Sequence, residues 1–231
     1  MRLDRFLSNA RGIGRRRIKK IIRKGSVAVN NRVVKDPSFT IDDEDEVRLN
    51  GELITLKGKI YIALNKPSGY TCTTSDREPS VLNLVDHPYV SKLHIAGRLD
   101  KDVEGLVILT NDGNFTHRLI SPKYHVEKEY HIKVEQNLTK EMIERAAAGI
   151  KFSNYTFRPA TVKQLERGLI SLIITEGKYH QVKNMMRALG LDYLKITRVR
   201  IGPIRLGNLR RSQWKELTEE QVSHLLETIF D

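Results

Sequence analysis

An arginine and a carboxylate, separated by one residue, form the strongest candidate for chemistry in this chain. They belong to Gly-Arg-Leu-Asp at residues 97–100, which follows the mostly apolar run 93–96. A second apolar run, 106–109, comes next and ends in the turn sequence Asn-Asp-Gly. Because glycine permits tight bends, this pattern predicts that Arg98 and Asp100 project from the end of a sheet on a short, rigid loop.

A second candidate cation lies on a predicted helix near the middle of the second half of the chain. Apolar residues recur there at helical spacing, at Val182, Met185, Met186 and Leu189. Gly190 follows them as a helix stop. Lys183 adjoins this apolar face, so its side chain can point into a cleft rather than into open water.

The elements around these residues mix strands and helices without a repeating strand–helix–strand unit. Strands are predicted at 60–64, 106–109, 128–134 and 169–174, and helices at 114–120 and 138–148. The run 60–64 is continuously apolar, which is typical of a strand buried on both faces. In 128–134, Tyr130 shares one face with Ile132 and Val134. This order favours an α+β fold with a mixed, largely antiparallel sheet.

The first 35 residues carry twelve Lys or Arg and a single acid, Asp4. Apolar spacing predicts one helix from Leu3 to Ala10 and a second over 15–24, followed by Gly25 and a small β element. The exposed side of the second helix is cationic, with Arg15, Arg16, Arg17, Lys19, Lys20, Arg23 and Lys24. Because this many cations without acids repel one another, the pattern favours a phosphate-rich partner over a merely solvated face.

Composition agrees with a polyanionic partner, since the 231-residue chain has a formal net charge of +12. Cys72 is the only cysteine, so a disulfide framework or a cysteine-based metal site is not expected. The N-terminus lacks the apolar core of a signal peptide, and no apolar run reaches the ~20 residues of a membrane span. We therefore expect a cytoplasmic protein with no membrane partner. Residues 51–59 are predicted to link two domains.

These motifs resemble those of the RsuA family of RNA pseudouridine synthases. Residues 97–100 match the family's Gly-Arg-Leu-Asp motif, and further matches are Glu-Lys-Glu-Tyr at 127–130, Glu-Gly-Lys-Tyr-His-Gln-Val-Lys at 176–183 and Arg-Val-Arg-Ile-Gly-Pro at 198–203. The start of the chain resembles an S4 RNA-binding domain through Arg2-Leu3-Asp4, Arg15 and the segment from Gly25 to Asn30. Arg2 is therefore expected to bind RNA together with the cations of the second helix. The resemblance implies an S4 domain with its linker at 1–59 and a catalytic domain at 60–231.

The resemblance also implies roles for individual residues. Asp100 would be the essential carboxylate, Lys183 the cation that opposes its protonation, and Tyr130 the ring that stacks on the target base. Arg98 would enter the RNA helix and support the displaced base, for which a flat guanidinium suits stacking. Residues expected to be structural near the site are Gly97, Leu99 and Ile196, where Ile196 replaces the usual Leu. The family arginine after Lys183 is replaced by Asn184.

The implied reaction converts a flipped-out uridine to pseudouridine. The N1–C1′ bond breaks and C5 joins C1′, with no electron or group lost, so neither a cofactor nor a metal is expected. Asp100 would attack C1′, attack C6 or abstract a proton; the residues leave these three alternatives open.

The expected partner is ribosomal RNA, alone or in a ribonucleoprotein assembly intermediate, and the protein is expected to be a monomer. Lys-Leu-His-x-Ala at 92–96 looks most like the members of the family that act on 16S rRNA. One alternative is a synthase of the same family that acts on 23S rRNA. Another is a non-catalytic S4 protein of ribosome assembly, against which the joint presence of Asp100, Tyr130 and Lys183 argues.

Overall fold

The computed structural model describes residues 1–42, 45–54, 58–75, 77–87 and 89–230. Contacts divide the chain into two compact units, Met1–Lys59 with Asp86–Leu93, and Ile60–Val85 with His94–Asp231. The segment Asp86–Leu93 joins the first unit through contacts such as the Tyr89 hydroxyl, which donates to the carbonyl of Ala10 at 2.9 Å. Among the described helices, none has the length and apolar character needed to cross a membrane.

Two helices and a small antiparallel sheet form the first unit. The helices are α1 (Leu3–Arg11) and α2 (Arg15–Arg23), and the strands are β1 (Val27–Val29), β2 (Arg32–Val33), β3 (Val47–Leu49) and β4 (Glu52–Ile54). The strand order is β2-β1-β3-β4. Strand β4 lies within the segment predicted as a linker, of which residues 55–57 lie outside the described part of the chain.

The helices of the first unit pack by the apolar spacing that predicted them. The residues with no exposed surface include Leu3, Leu7, Ile18 and Ile22. Chain reversals fall where the residues tolerate positive φ: Gly25 after α2 has φ 79°, and Asn30 and Asn31 between β1 and β2 have φ 48° and 63°.

Asp4 is a buried carboxylate at the centre of the basic surface. It lies 3.0 Å from Arg15, 3.2 Å from Arg2 and 3.9 Å from Lys19. Burial raises the pKa of Asp4, but hydrogen bonds from Arg2 and Arg15 outweigh it and hold this pKa below the ordinary value. Three of the cations predicted to bind RNA therefore also compensate a buried charge.

The second unit is built on a sheet whose described strands run in the order β11-β12-β8-β13-β7-β5-β15, with β14 beside β13 and β6 beside β7. The bounds are β5 (Tyr61–Lys66), β6 (His94–Ala96), β7 (Glu104–Thr110), β8 (Lys128–Val134), β11 (Thr161–Glu166), β12 (Leu169–Ile174), β13 (Tyr193–Ile201), β14 (Ile204–Arg205) and β15 (Trp214–Glu216). The pairing of β13 with β7 is parallel, whereas the other described pairings in this sheet are antiparallel. The α+β architecture with a mixed, largely antiparallel sheet is confirmed.

Four helices and a two-stranded hairpin complete the second unit: α3 (Gly113–Ile120), α4 (Lys140–Ala148), α5 (Gln181–Leu189), α6 (Glu219–Phe230), β9 (Lys151–Phe152) and β10 (Tyr155–Thr156). One core cluster joins β5 and β7 to α3 and α6. In it, the rings of Tyr61 and Phe115 meet edge to face at 5.1 Å between centroids. Strand β5 is buried along its whole length; the continuous apolar run 60–64 predicts this for its first four residues, and the burial extends to Asn65 and Lys66. This core fixes the ends of β6 and β7, between which the candidate loop lies.

Candidate active site

A cavity of about 580 Å³ collects the predicted site residues of the second unit. Its wall includes Asp100 from the loop between β6 and β7, Tyr130 from β8 and Lys183 from the first turn of α5. The remaining predicted neighbours of the site also line it, namely Gly97, Arg98, Leu99 and Ile196. Sequence positions up to 99 residues apart thus meet around one space that is large enough for a nucleotide base.

Lys183 bridges two carboxylates at the wall of this cavity. Its Nζ lies 3.1 Å from Oδ2 of Asp100 and 2.6 Å from Oδ1 of Asp102. Burial lowers the pKa of Lys183, but the hydrogen bonds that its ammonium donates to the two carboxylates outweigh this effect and raise the pKa of Lys183 above the ordinary value. The predicted cation therefore stays charged beside Asp100. Asp102, which the sequence analysis missed, shares that cation.

Asp102 is more exposed than Asp100 and differs from it in its surroundings. Burial raises the pKa of Asp102, but the hydrogen bond from Lys183 outweighs it, so this pKa lies below the ordinary value. Asp100 has a second neighbour at its other carboxylate oxygen: His180 Nε2 lies 3.7 Å from Oδ1 of Asp100. Asp100 is thus flanked by an imidazole and an ammonium group.

Two buried cations bind the backbone of the candidate loop between β6 and β7. Arg198, which is 1% exposed, donates from Nη2 to the carbonyl of Gly97 and from Nε to that of Leu106, both at 2.7 Å. Lys66 donates from Nζ to the carbonyls of Lys101 at 3.0 Å and Val103 at 2.7 Å. Hydrogen bonds from charged donors are the stronger class, so they keep the loop in one conformation. The sequence analysis did not identify this role of Lys66.

Arg98 is exposed at the cavity, in contrast to the residues on either side of it. The backbone N–H of Leu99 donates to the Cys72 sulfur at 3.3 Å, which anchors the loop just after Arg98. Gly97, with φ 83°, supplies the bend before it. The guanidinium is therefore presented to solvent by a fixed backbone, as expected for a side chain that meets a bound partner.

Tyr130 lies on the face of β8 that looks toward the cavity. The strand alternates buried and more exposed residues, so Lys128, Tyr130 and Ile132 share the buried face. Across the ladder, Tyr130 pairs with Leu172 of β12 and Arg198 of β13. Its ring is fixed by the central part of the sheet rather than by a loop.

Lys128, also on the cavity wall, is buried with its Nζ donating to the carbonyl of Val126 at 2.8 Å. Burial, and secondarily the charge of Arg198, lowers the pKa of Lys128 to about 8. The unfolded chain therefore binds more protons than the native state between about pH 8 and the ordinary lysine pKa of about 10.4. The free energy of unfolding rises with pH through this window, by up to about 3 kcal/mol for this one group.

We predict that Lys128→Met removes this rise, because methionine fills the site without a charge to desolvate. Urea unfolding between about pH 7.5 and pH 10 measures the difference from the wild type. The matched control is Lys133→Met at an exposed position of the same strand, which should leave the wild-type pH dependence intact. Equal pH dependence for wild type and K128M would contradict the assignment.

Comparison with known proteins decides the family. Residues 60–188 match the RNA pseudouridylate synthases and residues 1–47 match the S4 domain. The chain belongs to the RNA pseudouridine synthase family. Its isomerase chemistry is therefore that of a pseudouridine synthase, and the first unit contains an S4 domain.

Relatives of this synthase match along nearly the whole chain. An uncharacterized RNA pseudouridine synthase of Aquifex aeolicus is 37% identical, over 97% of this chain and 96% of its own. The ribosomal small subunit pseudouridine synthase A of Yersinia pestis is 39% identical, over 96% and 97%. A crystal structure of a pseudouridylate synthase, 37% identical, superimposes with a TM-score of 0.69 over 97% of this chain and 99% of that one.

Proposed function

We propose that this synthase isomerises a uridine of 16S rRNA to pseudouridine, acting as a cytoplasmic monomer, with Asp100 as its essential carboxylate. The observation that carries the proposal is the contact of Asp100 with Lys183 at 3.1 Å on the wall of a cavity that also contains Tyr130. The choice of 16S rRNA is supported by relatives named ribosomal small subunit pseudouridine synthase A, from Yersinia pestis and Escherichia coli.

The proposed chemistry uses a charged Asp100. Cleavage of the N1–C1′ bond leaves the bonding electron pair on the uracil. C5 then bonds to C1′ and loses its proton, while N1 gains a proton, so that the product is an isomer of the substrate. A carboxylate can assist by attacking C1′ or C6, or by removing a proton. Lys183, whose Nζ lies 3.1 Å from Oδ2 of Asp100, holds this carboxylate in place, and Tyr130 stacks on the uracil ring in the cavity.

A uridine must leave its stack to reach Asp100, because the carboxylate lies inside the cavity wall. Extracting a base costs a few kcal/mol, offset by contacts in the pocket and along the backbone. In this proposal, the exposed Arg98 side chain occupies the position in the base stack that the extracted uridine leaves. A planar guanidinium stacks on the remaining bases better than an ammonium group would.

The test is pseudouridine mapping by carbodiimide labelling and primer extension on unmodified 16S and 23S transcripts, each alone and with ribosomal proteins. We expect one new stop in 16S rRNA that appears with the wild type. A stop only in 23S rRNA would overturn the assignment to 16S rRNA but would still show that the protein forms pseudouridine. Modification of protein-bound but not naked 16S rRNA would identify an assembly intermediate as the substrate.

We propose that the S4 domain binds RNA phosphates through the cationic side chains of α2. Arg2, Arg15 and Lys19 also contact buried Asp4, so reversing their charge would confuse binding with folding. The further cations of this proposal are Arg16, Arg17, Lys20, Arg23 and Lys24, which are exposed. Arg16, Lys20 and Arg23 recur at helical spacing and form one stripe.

We predict that reversing this stripe to glutamate weakens RNA binding and reduces its salt dependence. Each lost phosphate contact should flatten the slope of log affinity against log salt by about 0.7 to 0.9. Filter binding between about 50 and 200 mM salt measures the slope. Reversal of Lys140 and Arg145 in α4 is the control for general charge. A slope unchanged in the stripe variant would remove α2 from the RNA footprint.

A further inference from the structure

The loop between β12 and α5 is fixed by a buried hydrogen-bond network. Buried Glu176 accepts from the side-chain amide of Gln181 at 2.8 Å and from the backbone N–H of Arg158 at 3.0 Å. The same glutamine accepts from the backbone N–H of Lys178 at 2.9 Å. Both ends of the loop are thereby tied to one pair of buried side chains.

Lys178, which precedes the exposed Tyr179 in this loop, is also held in place. The Lys178 ammonium lies 4.7 Å from the centroid of the Tyr155 ring and 3.9 Å from a carboxylate oxygen of Glu176. A cation over an aromatic face is held by the charge distribution of the ring. These contacts restrict the backbone of the loop, so the Tyr179 side chain that follows stays at the surface.

That next residue, Tyr179, is 80% exposed. Its ring stacks on the imidazole of His180, with centroids 3.8 Å apart and planes inclined by 22°. His180 in turn lies 3.7 Å from Asp100 through Nε2. A continuous series of Tyr179, His180 and Asp100 thus runs from solvent to the catalytic carboxylate, along the wall of the cavity.

We propose that Tyr179, backed by His180, is a stacking platform for an unpaired nucleobase adjacent to the target uridine; this inference rests on the proposed RNA substrate. One face of the Tyr179 ring is covered by His180, and its exposure leaves the opposite face available to a base. Aromatic rings accept any base, because every base has a π face.

The charges around the platform favour the same ligand. Lys101 and Lys178 line the cavity with Tyr179, so a strand whose base stacks on the ring would find cations for its phosphates. Because the loop is already fixed, little conformational freedom is lost on binding. The pairing of a rigid exposed ring with cations matches the chemistry of single-stranded RNA.

The first experiment measures binding of a short oligouridylate containing 5-iodouridine to full-length enzyme in the Asp100→Asn background, which prevents turnover. Tyr179→Ala should weaken binding by about five-fold to a hundred-fold, the range for loss of one base–aromatic stack. Tyr179→Phe should bind like the parent, since it keeps the ring. Leu194→Ala, another exposed apolar side chain, is the control, and ultraviolet cross-linking should join the iodouridine to Tyr179.

The second experiment measures turnover on the RNA located by the mapping experiment. If the platform binds the ground state and the transition state equally, its loss in Y179A raises KM and leaves kcat within about two-fold. A merely structural role for Tyr179 would lower kcat and the unfolding temperature of the Y179A enzyme as well. Unchanged affinity and unchanged KM in Y179A would overturn the platform. A failed mapping experiment with weakened oligouridylate binding by Y179A would overturn the substrate and leave the platform standing.

Discussion

Replacing Asp100 with asparagine is expected to abolish pseudouridine formation while leaving RNA binding and folding intact. Asparagine preserves the volume of the side chain but has no negative charge for attack or proton removal. We expect a loss of at least about 10³-fold in kcat, the scale for removing a group that acts in the transition state. Single-turnover assays on the mapped RNA measure the rate, and filter binding and thermal unfolding confirm the other two properties.

Asp102→Asn is the sharpest control for this prediction. Both carboxylates contact Lys183, at 3.1 Å for Asp100 and 2.6 Å for Asp102, so the two variants change the same charge cluster by the same amount. If the only role of Asp102 is to hold Lys183, the kcat of the D102N enzyme should fall by no more than about ten-fold. An active D100N enzyme beside an inactive D102N enzyme would transfer the essential role to Asp102.

The loop between β6 and β7 was predictable from sequence because its signals are local. Glycine at 97, the apolar runs on either side and the closing Asn-Asp-Gly fix a strand–loop–strand unit without reference to the rest of the chain. The same holds for α1 and α2, whose apolar spacing and glycine stop are contained within a few turns. Strand β8 was predicted with its observed bounds for the same reason.

The support beneath the loop was not predictable, because it depends on long-range contacts. In the sequence, Arg198 is one cation among several and carries no sign of burial. Its burial becomes evident only from its hydrogen bonds to the carbonyls of Gly97 and Leu106, about a hundred positions away. Asp102 reads as a surface acid until Lys183 is brought beside it. Tyr179 reads as part of a motif until its exposure and its stacking on His180 are seen.

Several fold elements were missed for a related reason. Strand β13 alternates apolar residues with Lys, Thr and Arg, and the sequence analysis used its motif without assigning a strand. It lies between β8 and β7, and its Arg198 is buried there by hydrogen bonds to the carbonyls of Gly97 and Leu106, so this central strand lacks the continuous apolar sequence by which a buried strand is recognised. Helix α6 was missed as well, although Leu225 and Ile229 are fully buried in the core it shares with α3.

Gly105 is the position where the fold and the site depend on one another most closely. It lies opposite Arg198 in the parallel pairing of β7 with β13 and has φ 106°, a backbone conformation that favours glycine. An added Cβ would lie 2.7 Å from the backbone nitrogen of Arg198 and closer still to its carbonyl oxygen. Neither contact can be relieved by rotating a side chain, since both atoms belong to the strand.

We therefore expect Gly105→Ala to destabilise the second unit by about 3 to 5 kcal/mol, combining backbone strain with overpacking. Activity should fall with stability, because a displaced Arg198 releases the carbonyl of Gly97 and with it the catalytic loop. Trp214, the only tryptophan, lies in β15 of this unit, so its fluorescence during urea unfolding reports the change. The matched control is Gly113→Ala at the start of α3, where no atom lies within 4 Å of the added Cβ. That substitution should be neutral or stabilising by up to about 1 kcal/mol, and equal unfolding midpoints for the two variants would refute the role given to Gly105.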